Sequence, residues 1–242
     1  LILIFPGPFM LLYNKFCKMH QAVVLILTTS QAVKVVLLGQ TASLPCLFAQ
    51  RSQNDLTATW TKKGRTQLSD KSLFVFHAGK RMPDHHTEEY RDRIFINQTG
   101  LSDGNATLFL KNISISDEGV YECFVFMNPE KHNSTLKLEV AALFSKPQIS
   151  CQQSPSSQKD EKMEEWILSC VSENGYPEGR LLWDLEDGLA VHSRNQTNQT
   201  KETWGLYTLR SQLVINHMFS KNPSCIVHNQ RAQQTISSVA VC

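Results

Sequence analysis

Short segments of alternating apolar and polar residues run along the chain from Val33 onward, and polar turns separate them. Residues 41–46 alternate so that Leu44 and Cys46 fall on one side, and residues 107–110 and 136–140 alternate in the same way. This period of two is typical of strands with one buried side, and no long stretch has the helical period. The pattern predicts an all-β protein, built as a sandwich or a barrel.

A first Cys–Trp–Cys pattern favours the sandwich. Trp60 comes soon after Cys46, and Cys123 closes the pattern much later in the chain. In an immunoglobulin sandwich a disulfide joins strands B and F across the two sheets, and a tryptophan on strand C packs against it. The long span from Cys46 to Cys123 leaves room for the extra strands C′ and C″, which indicates a V-type domain.

The pattern then repeats with a shorter span. Trp183 follows Cys170 at nearly the same spacing as in the first pattern, but Cys225 comes sooner after it than Cys123 does after Trp60. We therefore predict the disulfides Cys46–Cys123 and Cys170–Cys225, in a V-type sandwich followed by a C-type sandwich.

A tyrosine corner supports the first domain independently. Tyr121 stands two residues before Cys123 in a D-x-G-x-Y-x-C sequence that begins at Asp117. At this place the hydroxyl ties the corner between strands E and F. Asp117 and Arg93 resemble the ion pair that closes the bottom of V domains, and we interpret them as structural. The second domain has Pro223 at the tyrosine position, so we expect an irregular start to its strand F.

Cysteines and glycosylation motifs indicate the compartment. The seven cysteines are widely spaced, which suits disulfides in an oxidising environment. Six N-x-S/T sequences accompany them, and they predict N-linked glycans. These acceptors are Asn97, Asn105, Asn112, Asn133, Asn195 and Asn198. Together the two signals predict passage through the secretory pathway.

The N-terminal region is interpreted as a signal peptide or extension over residues 1–32. Residues 22–27 are apolar, and Ser30-Gln31-Ala32 has the small-x-small pattern of a cleavage site. A transmembrane anchor is the alternative, but neither apolar run reaches the roughly 20 residues that span a bilayer. We expect the V-type domain over residues 33–141 and the C-type domain over residues 145–242.

Several segments resemble a known family. In the first domain these are the stretch from Gly104 to Leu110, the sequence Cys123-Phe-Val, and the junction from Leu138 to Pro147. In the second domain they include Asn174-Gly-Tyr-Pro177 and Gly205-Leu-Tyr207. The chain resembles the B-seven family of T-cell costimulatory and checkpoint ligands, which are relatives of the butyrophilins.

The resemblance implies a function and a location. It implies a type I protein with its two domains on the extracellular side of the plasma membrane. Its partner would be a T-cell surface receptor of the immunoglobulin superfamily, and the contact would use strands G, F, C and C′ of the V domain. A homophilic adhesion protein or a butyrophilin-like surface protein is the alternative function.

Strand parity indicates which residues would form this contact. Side chains alternate across a strand, so if Cys123 points inward, Glu122, Phe124 and Phe126 point outward. We expect Met127 to continue the aromatic patch into the turn after strand F. Thr59 and Thr61 on strand C and Lys137 on strand G should flank it. Residues 73–77 are the expected strand C′, whose parity the sequence does not fix.

Three interpretations of the outward phenylalanines stay open. They contact a receptor, they form a homodimer face, or they simply pack against C′. Asn133 lies on the same outward side by parity, so a glycan there would crowd the edge of the face. Aromatic residues are enriched at interfaces, which favours the receptor.

Nothing in the sequence indicates an enzyme, a metal site or a cofactor. No nucleophile, base and oxyanion donor fall together. His85 and His86 stand near Glu88 and Glu89, but a polar loop explains them. The net charge of +2 lacks the basic footprint of a nucleic-acid-binding protein.

Cys151 and Cys242 remain outside the two predicted disulfides. Cys151 lies early in strand A of the second domain, and Cys242 ends the segment that reads as strand G. Because these points would lie at opposite ends of the sandwich, we expect no bond between them. Cys242 would instead bond a second chain or carry a lipid, and Cys151 would be a buried thiol.

Overall fold

The computed structural model describes residues 31–49, 56–82, 87–154, 165–185, 194–215 and 222–242. Almost all of the predicted N-terminal extension lies outside these residues, as do Cys17 and the pair His85–His86. Residues 33–242 form one compact unit that holds two sandwiches. The prediction of an all-β protein with two tandem immunoglobulin-like sandwiches is confirmed.

The first domain is a sandwich of a six-stranded and a three-stranded sheet. Its strands are β1 (Ala32–Leu37), β2 (Ala42–Leu44), β3 (Leu56–Lys62), β4 (Lys71–His77), β5 (Lys80–Arg81), β6 (Ile94–Ile96), β7 (Leu108–Leu110), β8 (Gly119–Met127) and β9 (Glu130–Ala141). The front sheet has the order β1-β9-β8-β3-β4-β5, and the back sheet has the order β2-β7-β6. One short helix, α1 (Gln98–Ser102), follows β6. Since β4 and β5 extend the front sheet, the fold has the extra strands of a V-type domain.

The core between these sheets is built around a disulfide and a tryptophan. Cys46 and Cys123 are bonded, with Cα atoms 6.3 Å apart. Trp60 is fully buried beside them, and its indole N–H donates to the carbonyl of Ala106 at 2.7 Å. A buried indole N–H without an acceptor would be costly, so this bond makes the tryptophan compatible with the core.

A buried carboxylate stabilises the corner that leads from β7 into β8 in the first domain. Asp117 is 0% exposed and forms an ion pair with Arg93. The same carboxylate accepts hydrogen bonds from the backbone N–H and the hydroxyl of Ser114. The Tyr121 hydroxyl donates to the Asp117 carbonyl at 2.7 Å, which completes the tyrosine corner. Burial is the main cause that raises the pKa of Tyr121, so its hydroxyl stays protonated as a donor.

The second domain pairs a four-stranded sheet with a three-stranded sheet. Its strands are β10 (Gln148–Ser154), β11 (Glu165–Gly175), β12 (Arg180–Asp184), β13 (Arg194–Lys201), β14 (Tyr207–Ile215), β15 (Ser224–Asn229) and β16 (Gln234–Val239). The sheet orders are β10-β11-β14-β13 and β12-β15-β16. These correspond to strands ABED and CFG of a C-type domain. Strand β15 begins directly after Pro223, where the first domain has its tyrosine corner.

The second core repeats the design of the first. Cys170 and Cys225 are bonded, and both are fully buried. Trp183 packs against this core and donates from its indole N–H to the Ser211 hydroxyl at 3.1 Å.

The prediction that Cys151 and Cys242 do not bond was wrong. They form a third disulfide, with Cα atoms 5.7 Å apart. The segments that carry them run side by side in the same direction, because Gln234 contacts Phe144 and Ser238 donates to the carbonyl of Pro147. Residues that contact each other across the two segments are 90 or 91 positions apart in the chain, and Cys151 and Cys242 are also 91 apart. Cys151 therefore lies beside Cys242. The prediction placed Cys151 early in strand A, at the end nearest the linker, whereas it is the middle residue of β10.

A polar cluster joins the two domains. The Arg231 guanidinium contacts the Glu118 carboxylate at 2.5 Å and donates to the Val140 carbonyl at 3.0 Å. Glu118 also accepts from the Tyr176 hydroxyl at 2.7 Å. Arg231 and Tyr176 belong to the second domain, whereas Glu118 belongs to the first. Burial first, and then the bond to Glu118, raises the pKa of Tyr176 to about 12.

An aromatic ring seals the same junction. Phe144 is 3% exposed, and the Gln234 side chain bonds both its N–H and its carbonyl at 2.8 Å. A Cβ on Gly175 would lie 2.2 Å from the Phe144 ring, and one on Gly179 would lie 2.5 Å from it. Both positions require glycine because the ring lies directly on the backbone.

The third disulfide gives a stability prediction. The double variant Cys151→Ser/Cys242→Ser should lose about 3–4 kcal/mol, since the inner Cys170–Cys225 bond shortens the loop that it closes to roughly 40 residues. Urea unfolding of the oxidised protein measures this loss, and the double variant avoids an unpaired thiol. A peptide map that finds Cys242 bonded to a second chain would contradict the pairing.

The ring at the junction gives a second prediction. Gly175→Ala should destabilise the protein by about 1–3 kcal/mol, because the new methyl group overlaps the Phe144 ring. Phe144→Leu in the same chain should recover part of this loss. Urea unfolding of the two single variants and the double variant measures the coupling. If the loss of unfolding free energy in the double variant equals the sum of the losses in the two single variants, Gly175 and Phe144 do not compete for space.

Candidate functional site

The outward side of β8 carries an aromatic pair. Tyr121, Cys123 and Val125 are fully buried on the inner side, and the disulfide fixes this parity. Phe124 and Phe126 therefore point outward, where both are half-buried. Aromatic side chains that water reaches in part, two residues apart on one strand, form an apolar strip along the middle of the sheet.

Strand register places polar residues on both sides of this strip. Phe124 lies opposite Thr59 on β3 and Asn133 on β9, and Phe126 lies opposite Thr57 and Lys131. We call this surface the front face. Its members on the four central strands are Thr57, Thr59, Thr61, Val75, His77, Glu122, Phe124, Phe126, Lys131, Asn133, Thr135 and Lys137. An apolar centre within a polar rim is the usual anatomy of an interface.

Met127 does not belong to the front face, contrary to expectation. It is 5% exposed and packs in the core of the first domain. The reason is that β8 continues as a regular strand through Met127, which pairs with Leu56 and Glu130. Met127 consequently keeps the inward parity of Cys123 and Val125.

Lys137 lies at the far end of the front face from Phe126. It pairs with Val120, two rows of residues away from Phe124. Its ammonium group contacts Glu139 at 2.7 Å, close to the domain junction. Thr61 pairs with Glu122, one row from Phe124, and Thr59 pairs with Phe124 itself. The predicted residues thus share one side of one sheet but not one compact spot.

Strand β4 contributes two residues that sequence analysis did not assign. Val75 lies opposite Thr59, and His77 lies opposite Thr57 and contacts its hydroxyl at 2.8 Å. The register between β3 and β4 shifts after Trp60, so the consecutive residues Leu73 and Phe74 are both buried. This irregularity removes the simple alternation that would have indicated the parity of β4.

Charged groups are concentrated beside the aromatic strip, around Glu122. Lys63 contacts Asp70 at 2.5 Å and Glu122 at 3.4 Å. The hydrogen bond with Asp70 is the main cause that raises the pKa of Lys63, and the same bond lowers the pKa of Asp70. These exposed pairs are worth little stability, but they hold the Glu122 carboxylate beside the strip.

Asn133 connects the strip to this charged region. It is exposed, and its side-chain amide donates to the Glu122 carboxylate at 3.1 Å. It lies directly beside Phe124 on β9. A glycan on Asn133 would therefore stand over the β9 side of the front face and leave the β3 and β4 side open.

The predicted glycan acceptors lie on several elements. Asn133 is on β9, whereas Asn195 and Asn198 are on β13 of the second domain. Asn97, Asn105 and Asn112 flank the back sheet of the first domain. None of these three shares the front face.

The described residues contain no group of histidine, cysteine and acidic side chains that could hold a metal ion. Within the same ranges no helix is long and apolar enough to cross a membrane.

Two family models match the chain. The immunoglobulin V-set domain matches residues 28–141, and the immunoglobulin C domain of the type found in butyrophilin subfamily 3 member A2 matches residues 143–236. The chain therefore carries an immunoglobulin V-set domain followed by an immunoglobulin C2-set domain.

The relatives include butyrophilins and a CD276 antigen homolog. The chain is 29% identical to mouse butyrophilin subfamily 1 member A1 over 203 residues, which is 84% of this chain and 36% of the relative. It is 28% identical to the CD276 antigen homolog of Xenopus laevis over 80% of this chain and 61% of that relative. The chain thus spans about a third of the length of the butyrophilins that it matches.

Solved structures share the fold of both domains. Bovine butyrophilin superposes with a TM-score of 0.69 at 24% identity, over 88% of this chain and 95% of that chain. A chain from the crystal structure of ICOS in complex with ICOS-L and an anti-ICOS-L VNAR domain superposes with a TM-score of 0.65 at 22% identity, over 88% and 100%.

The parity of β8 in the V-set domain gives a prediction. Met127→Asp should prevent stable folding, because it places an unpaired carboxylate in the core. Phe126→Asp makes the same chemical change one residue away but leaves the carboxylate in water, so the domain should fold. Secreted yield and cooperative urea unfolding measure the difference. Equal loss in both variants would contradict the assigned parity.

Proposed function

We propose that this protein is a cell-surface co-signalling ligand, and that the front face of its V-set domain binds an immunoglobulin-superfamily receptor on T cells and thereby modulates T-cell activation. In this proposal residues 1–32 act as a signal peptide, and the domains over residues 33–141 and 145–242 lie outside the plasma membrane. N-linked glycans occupy the six acceptor asparagines. The first domain resembles B-seven homologue three, and the second domain also resembles inducible costimulator ligand.

The observation that carries the proposal is the outward aromatic pair. Phe124 and Phe126 occupy the middle of the sheet, where neighbours on both sides can exclude water from a contact. Binding energy concentrates in such central aromatic anchors, and the polar rim contributes mainly complementarity. Thr59 and Val75 line the strip on one side, and Asn133 and Lys131 line it on the other.

Asn133 restricts how the receptor approaches. A glycan on its side chain would cover the β9 edge beside Phe124. The receptor therefore contacts the strip from the side of β3 and β4, where Thr57, Val75 and His77 lie. Glu122 and Lys63 form a charged pair beside Phe124, at the edge of the surface that the receptor contacts.

The comparisons support this class of function. The relatives include the butyrophilins and a CD276 homolog, and one structure of the same fold comes from a complex of ICOS with ICOS-L. The alternative is homophilic adhesion by a butyrophilin-like protein, in which the same aromatic strip meets its counterpart on a second copy. Both functions use Phe126, so the experiment has to separate the partners.

Binding to a panel of T-cell surface receptors tests the proposal. The secreted, tagged chain is compared with its Phe124→Asp and Phe126→Asp variants. Each substitution should weaken binding by about 2 kcal/mol or more, which is roughly 30-fold in Kd. Ser43→Asp is the matched control, since it adds the same charge to the outward side of the back sheet and should leave binding unchanged.

Two outcomes would contradict the receptor proposal. Folded Phe124→Asp and Phe126→Asp variants that bind the receptor with unchanged Kd would show that the front face is not the contact. Self-association of the parent chain that is lost in Phe126→Asp, with no receptor bound in the panel, would establish the adhesion function instead.

A further inference from the structure

A second aromatic pair lies on the opposite side of the V-set domain. Phe95 on β6 and Phe109 on β7 are directly paired across the strands of the back sheet. Their rings stack with centroids 4.7 Å apart and an interplanar angle of 9°. Phe95 is 41% exposed, and both rings point away from the core, because Ile94, Ile96, Leu108 and Leu110 fill the inner side.

The neighbours of this pair cover it only in part. The Lys111 ammonium group lies 5.1 Å from the centroid of the Phe95 ring. Ser43, which pairs with Phe109 on the other side, is too small to cover a ring. An apolar surface that water reaches raises the free energy of the folded domain. The rings therefore gain stability from any group that covers them.

A glycosylation acceptor stands next to the exposed ring. Asn97 lies two residues after Phe95 with an extended backbone, so its side chain falls on the same side of the sheet. Two residues of strand span about 6.7 Å, which is within reach of the first sugar of a glycan. Among the residues that the structure describes, none accepts a hydrogen bond from the Asn97 amide nitrogen.

Local hydrogen bonds orient this acceptor. The Asn97 amide oxygen accepts from the backbone N–H of Thr99 at 3.2 Å and from its hydroxyl at 2.7 Å. Thr99 is the third residue of the N-x-T sequence. Both bonds use the oxygen, and Asn97 is exposed, so the amide nitrogen is accessible to a glycosylating enzyme. Asn133 differs, since its amide nitrogen is engaged by Glu122.

We propose that an N-linked glycan on Asn97 folds back over the Phe95–Phe109 stack and serves as the cover of the back sheet. The Asn97 amide nitrogen displaces pyrophosphate from the first N-acetylglucosamine of a lipid-linked oligosaccharide. A carbon–nitrogen bond forms, the carbon–oxygen bond to the pyrophosphate breaks, and the amide loses one proton. The C–H groups on one side of the sugar ring then lie against the negative face of the Phe95 ring.

Another acceptor on the same sheet provides a comparison. Asn105 has a similar local geometry, since its amide oxygen accepts from the backbone N–H of Thr107 at 2.9 Å. Its side chain is also exposed, but it lies four residues before Phe109 and outside β7, twice as far along the chain from a ring as Asn97 is. A glycan on Asn105 therefore starts too far from the rings for its first sugar to cover them.

The inference does not rest on the receptor-binding face. It needs passage through the secretory pathway, which the three disulfides also need. Loss of receptor binding by front-face variants and loss of the glycan cover are separate events, because the two aromatic pairs lie on opposite sheets.

A thermodynamic cycle in secreted, glycosylated protein tests the proposal. Mass spectrometry of the Asn97 peptide first measures occupancy, which should be nearly complete. Asn97→Gln should then lower Tm by about 2–4 °C, as expected for a loss near 1 kcal/mol. Asn105→Gln, which also removes one glycan from this sheet, should shift Tm by less than about 1 °C.

Phe95→Thr supplies the second arm of the cycle. Threonine keeps the β-strand preference but removes the ring. In this background Asn97→Gln should lower Tm by less than in the parent, because only the loss of the hydrogen bonds between Asn97 and Thr99 remains. The proposal is overturned if Asn97→Gln lowers Tm equally in both backgrounds, or if the Asn97 peptide carries no glycan. It is also overturned if light scattering shows a dimer of the glycosylated parent that Phe95→Thr dissociates, because a second copy would then be the cover.

Discussion

The bond between Cys46 and Cys123 determines which side of the central strand faces the core, and the surface of the V-set domain follows from it. Both sulfurs have to lie between the sheets, and successive side chains alternate. Phe124 and Phe126 can therefore only face solvent on the front sheet. The buried disulfide thus determines which residues of β8 are exposed on the surface of the domain.

The two sandwiches achieve the same architecture with different means. The V-set domain closes its lower end with a buried carboxylate, Asp117, and with the hydroxyl of Tyr121. The C2-set domain has a proline at the equivalent corner and adds a disulfide between the edges of its two sheets. The junction has charged contacts around Arg231 and also a buried ring, Phe144, that lies against Gly175 and Gly179. Residues 33–242 thus form a compact unit without a long linker.

Much of this fold follows from local patterns in the sequence, and the errors have specific physical causes. The spacing of Cys46, Trp60 and Cys123 indicated the sandwich, and parity alone oriented Phe124 and Phe126. Met127 was misplaced because sequence does not tell where a strand yields to a turn. Which side chains of β4 face outward could not be predicted from the sequence, because a register shift places two consecutive side chains in the core.

The third disulfide was missed for a different reason. Its formation depends on two segments that are distant in sequence and lie side by side in the same direction. Only contacts such as that between Ser238 and Pro147 reveal this alignment. The stacked phenylalanines of the back sheet were also not predicted, because no local sequence pattern indicates that Phe95 and Phe109 pair across two strands.

This third disulfide also has a mechanical consequence. A pulling force that enters through the V-set domain reaches the C2-set domain at β10 and meets Cys151 within a few residues. From there the covalent bond transmits the load directly to Cys242. Residues 152–241 lie inside the closed loop, so tension along the chain bypasses them and their strands are not peeled apart. For a load applied between the V-set domain and Cys242, this bond limits how far the C2-set domain can extend, and the hydrogen bonds of residues 152–241 do not carry that load.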